Sequence, residues 1–375
     1  MNRLQCLSIA VALLFPCQWI PNHSVAADVP KVHSDSTVTF RIKAPKADKV
    51  LLIGDWLKRD EQIEMKKGDD GVWTATVGPF PIGKHIYEFN VDGVLMSDPV
   101  NPAIKLRSAR SGSFVHIPGE AIWEARDVPH GAVEINYLNS SVLGDLRATH
   151  IYTPPGYAKN SDRRYPVLYL LHGSNDTAAG WTMAGAANFI LDNLIAEGKA
   201  KEMVVVMPYG HAVPFGSPRD IQATNTQRFE EYLLKDVMPM VESKYRIRQG
   251  STNRAIVGLS MGGGQAISIG FKNLNTFDAI GAFSASVPND FSNQFANVIA
   301  SPEKVNQQLS QLWIGCGKDD SAVQRSQDFG KLLSEKGINH TLRITDGVHN
   351  FETWRRFLVE LTPLLFRRNS ELKSN

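Results

Sequence analysis

Arg254-Ala255-Ile256-Val257-Gly258-Leu259-Ser260-Met261-Gly262-Gly263-Gly264 is the stretch on which the fold turns. The apolar run Ala255-Ile256-Val257 reads as a buried strand, and a helical pattern begins near Gly263. Between them Gly258-x-Ser260-x-Gly262 has the form of a nucleophile elbow, a sharp strand-to-helix turn that strains the serine backbone and projects its hydroxyl from the sheet. Gly258 and Gly262 are required there because strand and helix approach too closely for larger side chains. The helix N-terminus would turn its N–H groups toward a developing oxyanion.

A serine hydroxyl is a weak nucleophile until a base takes its proton and a carboxylate orients that base. In folds built on this elbow the partners follow in the order Ser, Asp or Glu, His, each after a later strand. Downstream, Leu312-Trp313-Ile314-Gly315-Cys316 runs into Gly317-Lys318-Asp319-Asp320, and the strand ending at Ile344 runs into Asp346-Gly347-Val348-His349. Order and placement predict a triad of Ser260, Asp320 and His349. A Gly-x-x-Asp turn points its fourth residue back toward the histidine and so favours Asp320 over Asp319. Asp346 shapes the turn. The second oxyanion donor belongs in the loop after Pro166–Leu171, where His172-Gly173-Ser174 follows. The N–H of Ser174, with Gly173 as the alternative, would join that of Met261, and His172 would hold the loop by hydrogen bonds.

Around this centre strands and helices alternate. Leu146–Tyr152, Pro166–Leu171, Met203–Met207, Phe277–Ser284 and His340–Ile344 read as strands. Ala187–Glu197, Phe229–Lys244 and Ser326–Glu335 read as helices. The alternation predicts a mostly parallel sheet covered on both faces, an α/β-hydrolase domain over residues 135–370. Residues 209–226 are long for a connection and are either a substrate-facing lid or an ordinary exposed insertion.

The preceding part differs in kind. Val38–Ile42, Val50–Ile53, Val72–Val77 and His85–Val91 are short strands separated by Gly54-Asp55, Asp69-Asp70-Gly71 and Asp92-Gly93. This predicts a small all-β, immunoglobulin-like sandwich over residues 28–118, joined by a linker at 119–134.

The 375 residues carry a net charge of +2 with no long block of one sign, which gives no case for nucleic acid or an anionic membrane. Arg3, the apolar Ile9–Phe15 and the small residues Ser24-Val25-Ala26-Ala27 read as a secretory signal over residues 1–27. The expected destination is therefore secreted or periplasmic. Pro16, Gln18 and Pro21 interrupt the run short of a membrane span. Cys6 and Cys17 lie within it, leaving Cys316, in an apolar run, as a buried inert thiol and no internal disulfide. No Cys/His cluster has metal-ligand spacing, and no cofactor is expected. His130, His211 and His340 have no partner motif and read as surface or structural residues.

Two resemblances join these readings. Phe40-Arg41, Ala44-Pro45, Gly54-Asp55-Trp56, Asp70-Gly71-Val72-Trp73, Tyr87-Glu88-Phe89, Val91-Asp92-Gly93 and Asp98-Pro99 resemble the early-set module of carbohydrate-binding family 48. Modules of that kind stack sugars on exposed tryptophans, which makes Trp56 the candidate platform. The other reading is that Trp56 and Trp73 pack the sandwich. Asp127-Val128-Pro129-His130-Gly131, Tyr152-Thr153-Pro154-Pro155-Gly156-Tyr157, Leu170-Leu171-His172-Gly173, Leu191–Ile195, Val205–Pro208 and Gly258–Gly263 resemble carbohydrate esterase family 1. That family includes feruloyl esterases, acetyl xylan esterases and, more distantly, enterochelin-esterase-like proteins. The resemblance implies a secreted serine esterase that removes feruloyl groups from esterified plant-wall xylan. Its alternatives are xylan deacetylation, cleavage of a siderophore triester, and, in another class, a carbohydrate-binding protein with an inert hydrolase domain. A siderophore esterase would favour a basic pocket, and the sequence marks no such cluster. Asn175 stands where the family often has a second glycine, and His349-Asn350-Phe351 where it often has His-x-Trp. Both positions lie near where an aromatic acyl chain would sit, so Phe351 is a candidate substrate contact.

Overall fold

The computed structural model describes residues 30–367; the signal-like segment, with Cys6 and Cys17, lies outside the described residues. Residues 31–117 form two facing antiparallel sheets. One contains Val38–Lys43 and Val72–Val77, and the other is built on Val50–Gly54, Gly83–Val91 and Gly112–Ile117. Alternation along these strands puts Phe40, Leu52, Trp73, Tyr87, Phe89 and Ile117 between the sheets, in a core separate from those of the hydrolase domain. The strand Ala132–Asn139 starts inside the stretch read as linker. It is an edge strand exposed along most of its length, so burial leaves little sequence signal there. The rest of the stretch is fastened to both sides. Trp123 Nε1 donates to Ile82 O at 3.1 Å, and Asn193 Nδ2 donates to Ile122 O and Glu124 O at 2.8 Å.

The second domain holds an eight-stranded sheet. Ala132–Asn139 and Leu146–Thr153 lie antiparallel at one edge. Val204–Pro208, Val167–Leu171, Arg254–Leu259, Ala279–Phe283, Gln311–Gly317 and Thr341–Thr345 follow in parallel. Packed helices on both faces cover these continuous apolar strands, the expected α/β-hydrolase architecture. Register aligns the carboxyl ends: Leu171 pairs with Gly258, Leu259 with Phe283, Phe283 with Gly315, and Gly317 with Thr345. The loops that follow these strands therefore converge on one edge of the sheet.

The helix expected over 229–244 begins at Asn225 and widens into a π-turn at Leu233–Val237 before resuming at Met238. Pro239 explains the change, because its ring would clash with a carbonyl one turn earlier in a regular helix.

The two domains share apolar packing. Ile86 and Phe114 of the sandwich enter the hydrolase core cluster that contains Leu168, Trp181, Phe351 and Trp354. Lys84 Nζ donates to Met183 O at 3.1 Å, and the buried Arg355 donates to Lys84 O at 3.2 Å.

Candidate active site

Ser260 sits at the turn between the strand Arg254–Leu259 and the helix Met261–Lys272, with φ 52° and ψ −117°. A non-glycine residue in this region is strained, and the surroundings hold it there. Ser260 N–H donates to Phe283 O at 2.8 Å, while its carbonyl accepts from Gly264 N and Ser286 N at 3.1 and 3.0 Å. A Cβ at Gly258 would collide with Gly262 O, and one at Gly262 would lie 2.5 Å from His172 O. The close approach required of both glycines is thus present.

Three side chains meet at this point. Ser260 Oγ lies 3.0 Å from His349 Nε2, and His349 Nδ1 lies 3.0 Å from both carboxylate oxygens of Asp320. With Nδ1–H donated to Asp320, Nε2 is free to accept the serine proton. Asp320 is 2% exposed and also accepts from Ala322 N at 2.8 Å. Burial raises its pKa, but the hydrogen bond and charge of His349, with the Ala322 N–H, outweigh that and hold it below the ordinary carboxylate value. Asp319 points elsewhere, to Lys58 of the sandwich at 3.2 Å, and Asp346 pairs with Lys318 at 2.6 Å. Asn350 caps the helix Phe351–Leu361 by accepting from Thr353 N at 3.0 Å, which sets the direction of the chain just after His349. Ser284 Oγ accepts from Trp354 Nε1 at 2.9 Å, and the Trp354 ring meets His349 edge-on at 4.9 Å. Trp354 was not picked out from sequence. Five residues beyond the histidine, it shares the helical face that buries Phe351.

Met261 opens the elbow helix, where the first N–H groups have no carbonyl partner within the helix. Ser174 borders the same cavity as Ser260. The loop carrying Ser174 is held from both sides. His172 Nε2 accepts from Gly210 N at 2.8 Å, so Nδ1 carries the hydrogen and donates to Gly173 O at 2.8 Å. Burial lowers the His172 pKa and keeps this neutral form. Asn175 takes φ 56°, a left-handed conformation asparagine tolerates, in the position where glycine was the expected residue. Its side chain adds what glycine could not, accepting from Ala109 N at 2.9 Å. Ser108 Oγ donates to Asp176 O at 2.7 Å, and Lys105 forms a buried ion pair with Asp176. Ala109, Ser108 and Lys105 all belong to the N-terminal sandwich.

The cavity at Ser260 measures about 170 Å³ and is walled by both domains. Asp55, Ile86, Lys105 and Arg107 come from the sandwich; Leu259, Phe351 and Trp354 are among those from the hydrolase domain. The basic residues Lys105 and Arg107 were not legible as a cluster in the sequence; Lys105 pairs with Asp176, while Arg107 shares the single carboxylate of Glu88 with Arg110, so one positive charge is left over. Phe351 lines this cavity, packed edge-on against Trp181 and Trp354 at 5.7 and 5.1 Å.

Of the two readings of Trp56, the structure favours packing. Its ring stacks on Phe40 at 5.6 Å and meets Phe80 at 4.6 Å, its Nε1 is buried, and the residue as a whole is half-buried against the sandwich core. The sandwich core competes for the same ring and wins. Residues 209–226 contribute none of the side chains that wall the Ser260 cavity. His211 is buried within that stretch between Tyr209 and Phe215. His130 pairs with Asp192 at 2.9 Å, and His340 Nδ1 lies 2.9 Å from Ile338 O. Cys316 is buried, and burial pushes its thiol up to about 11. A larger cavity of about 830 Å³ opens beside Tyr165, Asp278 and Ser310, near the opposite ends of the strands, with no serine–histidine pair. Among the described residues no group of three His, Cys, Asp or Glu could hold a metal ion, and no helix is long and apolar enough to cross a membrane.

A family model described as "Putative esterase" matches residues 140–365, around this triad-like cluster. The chain belongs to this esterase family. A second model, carbohydrate-binding module 48 (isoamylase N-terminal domain), matches residues 29–99, short of the last sandwich strand. The esterase is 30% identical over 357 residues to an endo-1,4-beta-xylanase/feruloyl esterase of Xylanibacter ruminicola, covering 92% of this chain and 47% of that protein. It spans about half the length of the curated relatives it matches. Among solved structures it is similar to a ferulic acid esterase at 29% identity and TM-score 0.56, covering 64% of this chain and 98% of that one. The fold of the Shigella flexneri enterobactin esterase covers 88% of this chain and 94% of its own, with TM-score 0.64 at 17% identity.

Proposed function

We propose that this esterase is secreted and releases hydroxycinnamoyl groups, feruloyl among them, from plant cell-wall xylan. In this mechanism Ser260 Oγ attacks the ester carbonyl while His349 Nε2 takes its proton, and Asp320 stabilises the imidazolium that forms. The N–H groups of Met261 and Ser174 hold the oxyanion. His349 returns the proton to the departing sugar hydroxyl, leaving an acyl-Ser260. Water, activated by the same imidazole, then releases the acid and restores the serine.

The observation that carries the acyl choice is the cavity wall. Ile86, Phe351 and Trp354 present an apolar surface with two aromatic rings beside Ser260. That suits a flat aromatic acyl chain, whereas an acetyl group would use little of it. At about 170 Å³ the cavity is smaller than the roughly 300 Å³ and more of a drug-sized ligand site, in keeping with a single-ring acyl group. The names of the Xylanibacter ruminicola relative and of the ferulic acid esterase structure support the same reading.

Initial rates on methyl ferulate, p-nitrophenyl acetate and acetylated xylan test it. Preference for methyl ferulate is the expected result. Turnover of acetyl esters alone would move the function to deacetylation, and no turnover of any ester would favour a binding protein.

A further inference from the structure

Of the side chains that wall the Ser260 cavity, Asp55 has the least to do within the protein. It lies in the turn Gly54-Asp55-Trp56 at the end of a sandwich strand, with its N–H donated to Ile86 O at 2.9 Å. The Trp56 ring folds back over Gly54, where an added Cβ would collide with it. Successive side chains therefore part: Trp56 enters the sandwich core and Asp55 borders the catalytic cavity. There the Oδ1 atom is buried and has no hydrogen-bond partner among the described residues.

Most neighbouring charges are bonded to other groups: Arg107 to Glu88, Lys105 to Asp176 and Glu352 to Arg356 at 3.3 Å. The buried Arg355 donates to the carbonyl of Lys84 and feels Asp55 as its foremost carboxylate, without a hydrogen bond between the two. Burial dominates and pushes the Asp55 carboxyl up to about 7, against the charges of Arg355 and Arg107 and with that of Glu352. A buried carboxyl without a partner is costly, and costs least when it is neutral and finds a hydrogen bond. In its neutral form it both donates and accepts.

We propose that Asp55 is a specificity-determining residue that hydrogen-bonds the ring hydroxyl of a hydroxycinnamoyl group seated against Phe351 and Trp354. The inference rests on the hydroxycinnamoyl reading above. A phenol is itself donor and acceptor, uncharged at neutral pH, and carried at the far end of a flat apolar chain. It therefore matches a polar group of the cavity wall whose own hydrogen bonding is incomplete, beside the rings of Phe351 and Trp354. The N-terminal module then reads the acyl group instead of stacking on the polysaccharide through Trp56.

The test compares kcat/KM for methyl p-coumarate and methyl cinnamate, which differ only in that hydroxyl. The full chain, Asp55→Ala and Asp55→Asn are each normalised to Ser260 titrated with a fluorophosphonate. The p-coumarate to cinnamate ratio is expected to fall about tenfold in Asp55→Ala, mainly through KM, the size of one lost hydrogen bond between neutral groups. Asp55→Asn, which keeps a neutral donor and acceptor, should recover most of the ratio. If Asp55→Ala fails to take up the fluorophosphonate, Asp55→Leu carries the same expectation with the cavity filled. A ratio within twofold of wild type in the apolar variant overturns the role of Asp55 and leaves the hydroxycinnamoyl reading standing. Wild-type turnover of p-nitrophenyl acetate with no turnover of either cinnamate ester overturns both.

Discussion

Lys105 of the N-terminal sandwich and Asp176 of the loop that carries Ser174 form an ion pair across the domain boundary, with the lysine side chain 1% exposed. Burial lowers the lysine pKa and the carboxylate partner opposes that. Together with the Ser108 and Ala109 hydrogen bonds, the pair ties the loop of Ser174, the proposed oxyanion donor, to the other domain. In the proposed mechanism the sandwich thereby supports the catalytic framework.

Removing one member of this pair leaves the other charge buried and alone. Lys105→Ala is expected to lower stability by about 3–5 kcal/mol, whereas Lys105→Met with Asp176→Leu should recover most of the loss. Denaturant unfolding of the two variants measures this. In protein that still folds, kcat should drop more than KM, because a displaced donor is felt mainly in the transition state.

Ser260→Ala should cost on the order of 10⁵ to 10⁶ in kcat, by analogy with other serine triads. Asp320→Asn should cost about 10⁴, because the amide favours the wrong imidazole tautomer. Asp319→Asn separates the adjacent carboxylates: it breaks only the surface pair with Lys58, worth less than about 1 kcal/mol, and should leave kcat close to that of the wild type. Steady-state rates on p-nitrophenyl acetate are sufficient to read all three.

The raised pKa of Asp55 makes stability depend on pH in a set direction. The folded state keeps the proton up to about pH 7, while the unfolded chain releases it near the ordinary value of 3.8. Between those values the folded state binds more protons, so the contribution of Asp55 is most favourable at low pH and declines as pH rises toward 7. Asp55→Asn removes that decline. The stability of the variant relative to wild type should therefore be higher at pH 8 than at pH 5, by up to about 3 kcal/mol, and its melting temperature should shift in the same sense. An unchanged difference across that range would contradict the assigned burial of this carboxyl.

Gly258→Ala is expected to abolish folding or cost several kcal/mol, because the new methyl group would collide with the backbone of Gly262 and neither strand nor helix can retreat. Gly144→Ala is a control at a turn where an added Cβ meets no other atom within 4 Å, so only its positive φ of 78° is strained. Soluble yield and thermal melting should separate the two widely.

What the sequence by itself determined is what short-range patterns encode. Apolar runs ending in small residues marked the strands, and the elbow requires Gly258 and Gly262 whatever lies around it. Ser260, Asp320 and His349 each follow a strand of one parallel sheet, so their order along the chain already implied a common edge. Tertiary structure decided what depends on residues far apart in sequence. Trp56 and Asp55 are neighbours in one turn, and nothing local says which of them faces the sandwich core and which the cavity. Competition between Phe40, Phe80 and the hydrolase surface settles it. Lys105 and Arg107 likewise look like ordinary charges of a β-module until packing sets them beside Ser260, already paired with Asp176 and Glu88. Backbone pattern is written locally, whereas the direction of a turn side chain and the partner of a buried charge are set by the surfaces that folding brings together.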